Sequence, residues 1–220
     1  MITRQEWGAG RLTAYTNSVK PSLRSGITIH HSVTAQGTTK KSVEAILRGI
    51  DSFHRSKGWG GIGYNFAVDH RGRVYEARGR DIIGVHASGA NTSTYGICYI
   101  GNTDKKLTAS AIEAIKGLVD SLQNDSKKKL DVKGHRDVNS TACPGRLLYR
   151  EIKAGTFDIR YLKAQFITAL PGDTYHKIAV RQLAKTNPNP TRAEKITERR
   201  RIRRLNNGAT ICAGMKVRVK

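Results

Sequence analysis

Acidic residues are scarce in this chain: 17 Asp and Glu stand against 39 Lys and Arg, a formal charge of +22 over 220 residues. A surface of that kind attracts polyanions, and nucleic acid and anionic cell-wall polymers both qualify. Cysteine is scarce too. Cys98, Cys143 and Cys212 are an odd number, which argues against a disulfide framework. A cysteine with a task is therefore expected to be a metal ligand or a nucleophile. No run of eighteen apolar residues occurs, so no membrane insertion is expected. The opening MITRQEWGAG lacks the apolar centre of a signal peptide, and synthesis in the cytoplasm without a signal is the expectation. A GxSxG elbow is missing, which removes the usual sign of a serine hydrolase.

The charge is unevenly spread. Residues 1–152 hold 23 Lys and Arg against 13 Asp and Glu, whereas 153–220 hold 16 against 4. This length suits one good core and a small second module. In the basic tail there are neither the interleaved aromatics of a single-strand binder nor any zinc-finger spacing, so nucleic acid ranks last among partners.

Apolar periodicity sketches the first module. Residues 27–32, ITIHHS, read as a short strand. Val43, Ile46, Leu47, Ile50 and Phe53 follow helical spacing after Thr39, and this helix stops before Gly58. Residues 64–69 and 73–77 form a hairpin around His70-Arg71-Gly72. Residues 95–101 are another strand. Thr108 suits the N-cap of a helix carrying Ala111, Ile115, Leu118, Val119 and Leu122 on one face. Residues 130–135 read as a strand ending at His135, and Pro144 suits the first turn of a helix with Leu147, Leu148 and Ile152. The expectation is an α/β domain over 1–154, with helices flanking a mixed sheet. A linker over 155–165 and a second module over 166–220 follow.

His30, His135 and Cys143 carry the strongest hint of chemistry. Zinc takes imidazole nitrogen and thiolate sulfur, and three protein ligands leave its fourth position for water, whose pKa it lowers to about 7. A Cys just ahead of a helix is also expected to ionise more easily. By spacing alone, a strand-end His is more often structural. His31 alternates to the other face of its strand and is set aside. Cys98, among apolar strand residues, reads as a small core residue.

Five segments occur in order: ITRQEWGA (2–9), ITIHHS (27–32), SFHRSKGWGGIGYNFAVDHRGRVYEARG (52–79), IIGVHASGANTSTYGICYIGN (82–102) and GHRDVNSTACPG (134–145). Together they resemble the zinc amidase family shared by phage endolysins and peptidoglycan recognition proteins. The resemblance implies hydrolysis of the amide between N-acetylmuramic acid and L-alanine, one zinc ion per chain, and bacterial peptidoglycan as the polymeric substrate. Carried over by position, it makes His30, His135 and Cys143 the zinc ligands. Tyr64 and Thr141 become the catalytic residues, and His54, His86 and Asn91 line the peptide-stem groove. A monomeric endolysin, acting on the wall after its release from the host cytoplasm, is the expected form. The alternative is a peptidoglycan receptor without turnover.

The tail resembles a LysM domain, a β-α-α-β module that binds N-acetylglucosamine-containing glycans. PGDT (171–174), Ile178-Ala179 and the closing ICAGMKVRVK (211–220) carry the likeness. It departs from the pattern at Ala213, where a Pro is usual, and in its Arg-rich middle. In ITERRRIRRLNN, an apolar stripe of Ile196, Ile202 and Leu205 is expected, with arginines on the other faces.

Overall fold

A computed structural model describes residues 1–159, 166–185, 187, 189–206, 210–211 and 215–219. Two compact units result, Met1–Tyr161 and Leu162–Lys220.

In the first unit, strand β1 (Gly26–His31) is followed by helix α1 (Lys40–Ser56) and the short strands β2 (Phe66–Val68) and β3 (Val74–Glu76). Strand β4 (Thr94–Tyr99), helix α2 (Ala109–Ser126), strand β5 (Asp131–Gly134) and helix α3 (Arg146–Lys153) complete it. The sheet order is β3-β2-β4-β1-β5. β1 pairs in parallel with both β4 and β5, β2 pairs in parallel with β4, and β2 and β3 are the antiparallel hairpin. The sheet is therefore mixed. Being interior and paired on both edges, β1 is buried along its whole length. That position suits the β-branched run Ile27-Thr28-Ile29, since a strand covered on both faces has no polar side.

Ile27 and Ile29 join Tyr95, Ile97 and Tyr99 in a core that contains Ile115, Val119 and Leu122 of α2 and Leu148 of α3. A second core brings Cys98, Ala67 and Tyr75 together with Val43 and Leu47 of α1 and with Trp7. Two faces of one sheet thus carry different helices. Thr39 caps α1 by accepting the Ser42 amide at 3.1 Å, and Thr108 caps α2 by accepting that of Ala111 at 3.2 Å. Gly58, at φ +79°, stands just past the end of α1 in a conformation that glycine adopts without strain.

Three sequence expectations shift. β5 ends at Gly134, and His135 opens a 3-10 turn, His135–Asp137. The turn is pulled tight by the Gly134 amide donating to Asp137 Oδ2 at 2.8 Å. Pro144 precedes α3 instead of starting it, because Gly145 between them sits at φ +81°, outside the helical range. Phe157, read as linker, is 1% exposed in the core containing Ile152 and Leu130.

The second unit runs β6 (Phe166–Thr168), α4 (Tyr175–Leu183), α5 (Arg192–Leu205) and β7 (Lys216–Arg218), with β6 and β7 antiparallel. Its core joins Ala169, Ile178, Ala179, Ile202, Val217 and Val219. Ile202 is buried and Ile196 half-buried; the Leu205 side chain, Cys212 and Ala213 lie outside the described residues. Among those residues no helix is long and apolar enough to cross a membrane.

Candidate metal centre

The period of two along β1 sends His30 and His31 to opposite faces. His30 emerges beside its β4 register partner Cys98, on the α1 side. His31 turns the other way, its Nδ1 3.0 Å from Thr103 Oγ1. The turn after β5 delivers His135, and the loop before α3 delivers Cys143. Donor atoms of His30, His135 and Cys143 lie within 4.8 Å of one another, the one such group among the described residues. Cys143 Sγ is 3.7 Å from His30 Nδ1. That is about the separation of two donors on one tetrahedral zinc with bonds of roughly 2.0–2.3 Å.

The remaining ring nitrogens are occupied. His30 Nε2 lies 3.1 Å from His86 Nδ1, and His135 Nε2 lies 3.1 Å from Asn139 Oδ1. An amide oxygen only accepts, so Nε2 of His135 carries its proton and Nδ1 is the lone-pair nitrogen. The proximity of Cys143 to His30 Nδ1 leads us to assign the same tautomer to His30, with Nε2–H donating to His86. Burial, then the nearby imidazoles of His86, His135 and His31, pushes the His30 pKa well below its usual value. Burial also lowers that of His135, against the pull of Asn139. Both rings are therefore neutral, the form that ligates a metal.

Cys143 corrects an expectation. Burial drives its thiol up to about 11, against the weaker downward effects of the His31 amide and Arg136. The His31 N–H does donate to Cys143 Sγ, at 3.4 Å, but α3 starts only three residues later. Helix-end stabilisation of the thiolate is thus overridden by loss of water. A cation bound here would have to displace the thiol proton. Two neutral imidazoles and one displaceable thiol proton fit zinc, a borderline-soft ion that leaves one position open when three protein groups hold it.

Tyr64 stands over this group, its ring 5.2 Å from that of His30 and 5.6 Å from that of His54. Burial, followed by the Cys98 and Cys143 sulfurs, raises its pKa well above the usual value, so the hydroxyl keeps its proton and can donate. Thr141 is exposed and accepts the Cys143 amide at 3.2 Å.

The N-acetylmuramoyl-L-alanine amidase profile matches residues 20–146. The chain belongs to the N-acetylmuramoyl-L-alanine amidase family. Peptidoglycan-recognition protein SC2 of Drosophila simulans is 35% identical over 157 residues, covering 70% of this chain and 84% of that protein. The endolysin of Enterobacteria phage K11 is 31% identical over 123 residues, 53% of this chain and 81% of the endolysin. The structure of peptidoglycan recognition protein-LE in complex with tracheal cytotoxin, a monomeric diaminopimelic acid-type peptidoglycan, superposes with a TM-score of 0.66. It is 31% identical and covers 70% of this chain and 92% of that one.

In this amidase-family chain the remaining residues singled out by sequence are dispersed. His54 lines a groove of about 490 Å³ with Ser32, Ile46, Ile50, Phe53 and Tyr64. Its Nδ1 accepts the Gly63 amide at 2.9 Å, and its ring packs 4.6 Å from that of Trp59. His86 is 8% exposed and sits behind His30 instead of in that groove. Asn91 Oδ1 accepts the amides of His86 and Ala87 at 2.7 and 2.9 Å, which engages its carbonyl in holding that loop.

Other contributors escaped the sequence reading. Asn139, four residues after His135, supplies the acceptor that the imidazole would need for its second nitrogen if it bound a metal, and that requirement was the available signal. Gly96 interrupts a central strand because a Cβ there would lie 2.5 Å from the His86 ring; glycine inside a strand commonly marks such close approach. Arg24, fully buried, donates to the carbonyls of Ile82, Asn91, Thr92 and Thr94 at 2.9–3.1 Å. It pins both ends of the segment that carries His86.

Proposed function

We propose that this chain is a zinc-dependent peptidoglycan amidase of the endolysin type. It hydrolyses the bond between N-acetylmuramic acid and L-alanine, one zinc ion per chain being held by His30, His135 and Cys143. The convergence of those three donors is the observation that carries the reading. The endolysin relative and the relatives named for peptidoglycan recognition support the substrate class.

Zinc in that pocket would supply Lewis acidity toward the scissile carbonyl and toward a water nucleophile at neutral pH. The chain's own groups do the rest. Neutral His30 and His135 offer Nδ1, their protons fixed on the far nitrogens by His86 and Asn139. The groove beside Ser32, Ile46, Phe53 and His54 holds the peptide stem. Tyr64, kept protonated by burial, donates a hydrogen bond to the oxyanion as attack makes the carbonyl tetrahedral. Thr141 steadies the Cys143 backbone at the rim. The second unit, 162–220, tethers the enzyme to the wall as a LysM-like module.

Purified peptidoglycan digested with the chain should gain free L-alanine amino groups and no reducing sugars, because among the described residues no glycosidase carboxylate pair joins the three donors. Cys143→Ala should lose both zinc, measured by elemental analysis, and turnover. A zinc-free wild-type chain that binds peptidoglycan without releasing amino groups would make this a receptor.

A further inference from the structure

The second unit contains a groove of about 560 Å³, lined by Asp173, Thr174 and Tyr175 around the start of α4, by Arg199 and Arg203 of α5, and by Thr210. Arg199 and Arg203 are four residues apart and so share one face of their helix. Both are exposed. The carboxylates of this unit are committed elsewhere. Glu198 binds Arg201 at 2.6 Å. Glu194 accepts its own cap residue, Thr191, at 2.7 and 2.9 Å. Asp173 is part of the groove wall, but its carboxylate is taken up by Arg181 at 2.6 Å and the Leu170 amide at 2.8 Å. Two guanidiniums therefore face the groove with no acid bound to either among the described residues. A guanidinium fork matches a carboxylate or phosphate in two parallel hydrogen bonds. Tyr175 and the threonine hydroxyls beside it offer an amphipathic wall suited to a sugar ring.

Amide hydrolysis by the first unit would create an anion of this kind. Water adds to the muramoyl carbonyl and the carbon–nitrogen bond breaks. The water oxygen stays on the sugar as part of a carboxylate, and the leaving nitrogen takes both of the water's protons and departs with the peptide as an ammonium. Each cut thus turns a neutral amide on the glycan into a fixed negative charge. We propose that the groove of the second unit binds the peptide-stripped glycan that the amidase leaves behind, with Arg199 and Arg203 holding its lactyl carboxylate. The enzyme is then retained on strands it has already opened, next to the remaining substrate. This rests on the amidase reading above.

The test uses the full chain carrying Cys143→Ala, so that no ligand is consumed. Its binding is compared on intact peptidoglycan, on glycan stripped beforehand by an unrelated amidase, and on stripped glycan whose carboxylates have been converted to methylamides. Stripped glycan should bind about tenfold more tightly than the other two, the gain expected of one charge-assisted pair. Arg199→Gln with Arg203→Gln should abolish that difference, with an unchanged melting temperature reporting an intact fold. Equal binding to free and blocked glycan, or a preference that survives the double substitution, overturns the proposal. So does equal arginine-dependent binding to a teichoic-acid phosphate polymer or to duplex DNA at the same salt, which would make the groove a general polyanion site. Release of L-alanine amino groups by the wild-type chain is scored separately. If none appear, the amidase reading fails while the glycan comparison still decides the groove.

Discussion

His30 Nε2 and His86 Nδ1 lie 3.1 Å apart between two buried rings that cross at 80°. The contact fixes which nitrogen of His30 faces Cys143, and under the proposed zinc site it would make His86 an outer partner of the metal without being a ligand. Removing such an outer partner typically costs about 10–100-fold in metal affinity. His86→Ala should therefore weaken zinc binding by roughly that factor in competition with a chromophoric chelator, while Cys143→Ala abolishes it. Unchanged affinity in His86→Ala would reduce the contact to packing.

Tyr64→Phe removes a hydroxyl and little else. Zinc content should stay at one per chain, and turnover should fall about 10²–10³-fold, as when one oxyanion donor is lost. If the Michaelis constant rises at constant turnover, Tyr64 binds substrate and does not act on the oxyanion.

The three candidate metal donors, which the fold does bring together, were legible because they stand in the local words ITIHHS, GHRD and TACPG. The strands and helices around them follow from apolar periodicity and from Thr39 and Thr108 as caps. What stayed hidden depends on groups distant in sequence. His86 is 56 residues from His30, and only the strand order β2-β4-β1 brings its loop behind that ring. Arg24 reads as one more surface cation in a chain of 39, yet it is fully buried. The Cys143 thiol went the opposite way from expectation because burial outweighs a helix end that begins three residues on.

Arg24 should be a stability hot spot. Its four carbonyl partners lie on the segment that carries His86, and its guanidinium stacks 4.8 Å from the Tyr95 ring centre. Arg24→Met leaves those carbonyls without their donor, at about 1–3 kcal/mol for each one that water cannot reach. Arg24→Lys keeps the charge but loses the fork and should recover only part of the loss. Urea unfolding of both variants checks the order; equal stability of Arg24→Met and wild type would contradict it.

Acid should weaken the fold through His54. Burial, followed by the charge of Lys57, holds its pKa at about 4. The unfolded imidazole binds a proton below about 6.5, whereas the folded one stays neutral until near 4. The unfolded state therefore holds the extra proton between those values, and stability falls with pH across that window and levels off beneath it. His54→Asn, whose oxygen can replace Nδ1 as acceptor for the Gly63 amide, should lose less stability between pH 7 and 4.5 than wild type. Parallel losses in urea titrations would assign the acid sensitivity elsewhere.

The last prediction separates tethering from catalysis. The first unit extends through Phe157, so a truncation must keep it; a chain ending at residue 161 retains the whole first unit. That shortened chain should cleave soluble muropeptides at the full rate, because the proposed metal donors, Tyr64 and the groove all lie within it. It should clear whole cell walls poorly, having lost 14 of the 39 Lys and Arg together with the second unit. Salt then tells charge from recognition. Attraction between exposed charges fades as the Debye length shrinks from about 10 Å at 0.1 M to about 3 Å at 1 M, while stacking and hydrogen bonds to a sugar persist. The full chain should therefore keep its advantage on teichoic-acid-free walls at 1 M salt. If the two chains become equal there, the second unit is a polycationic appendage; if they are equal at every salt concentration, it has no part in reaching the wall.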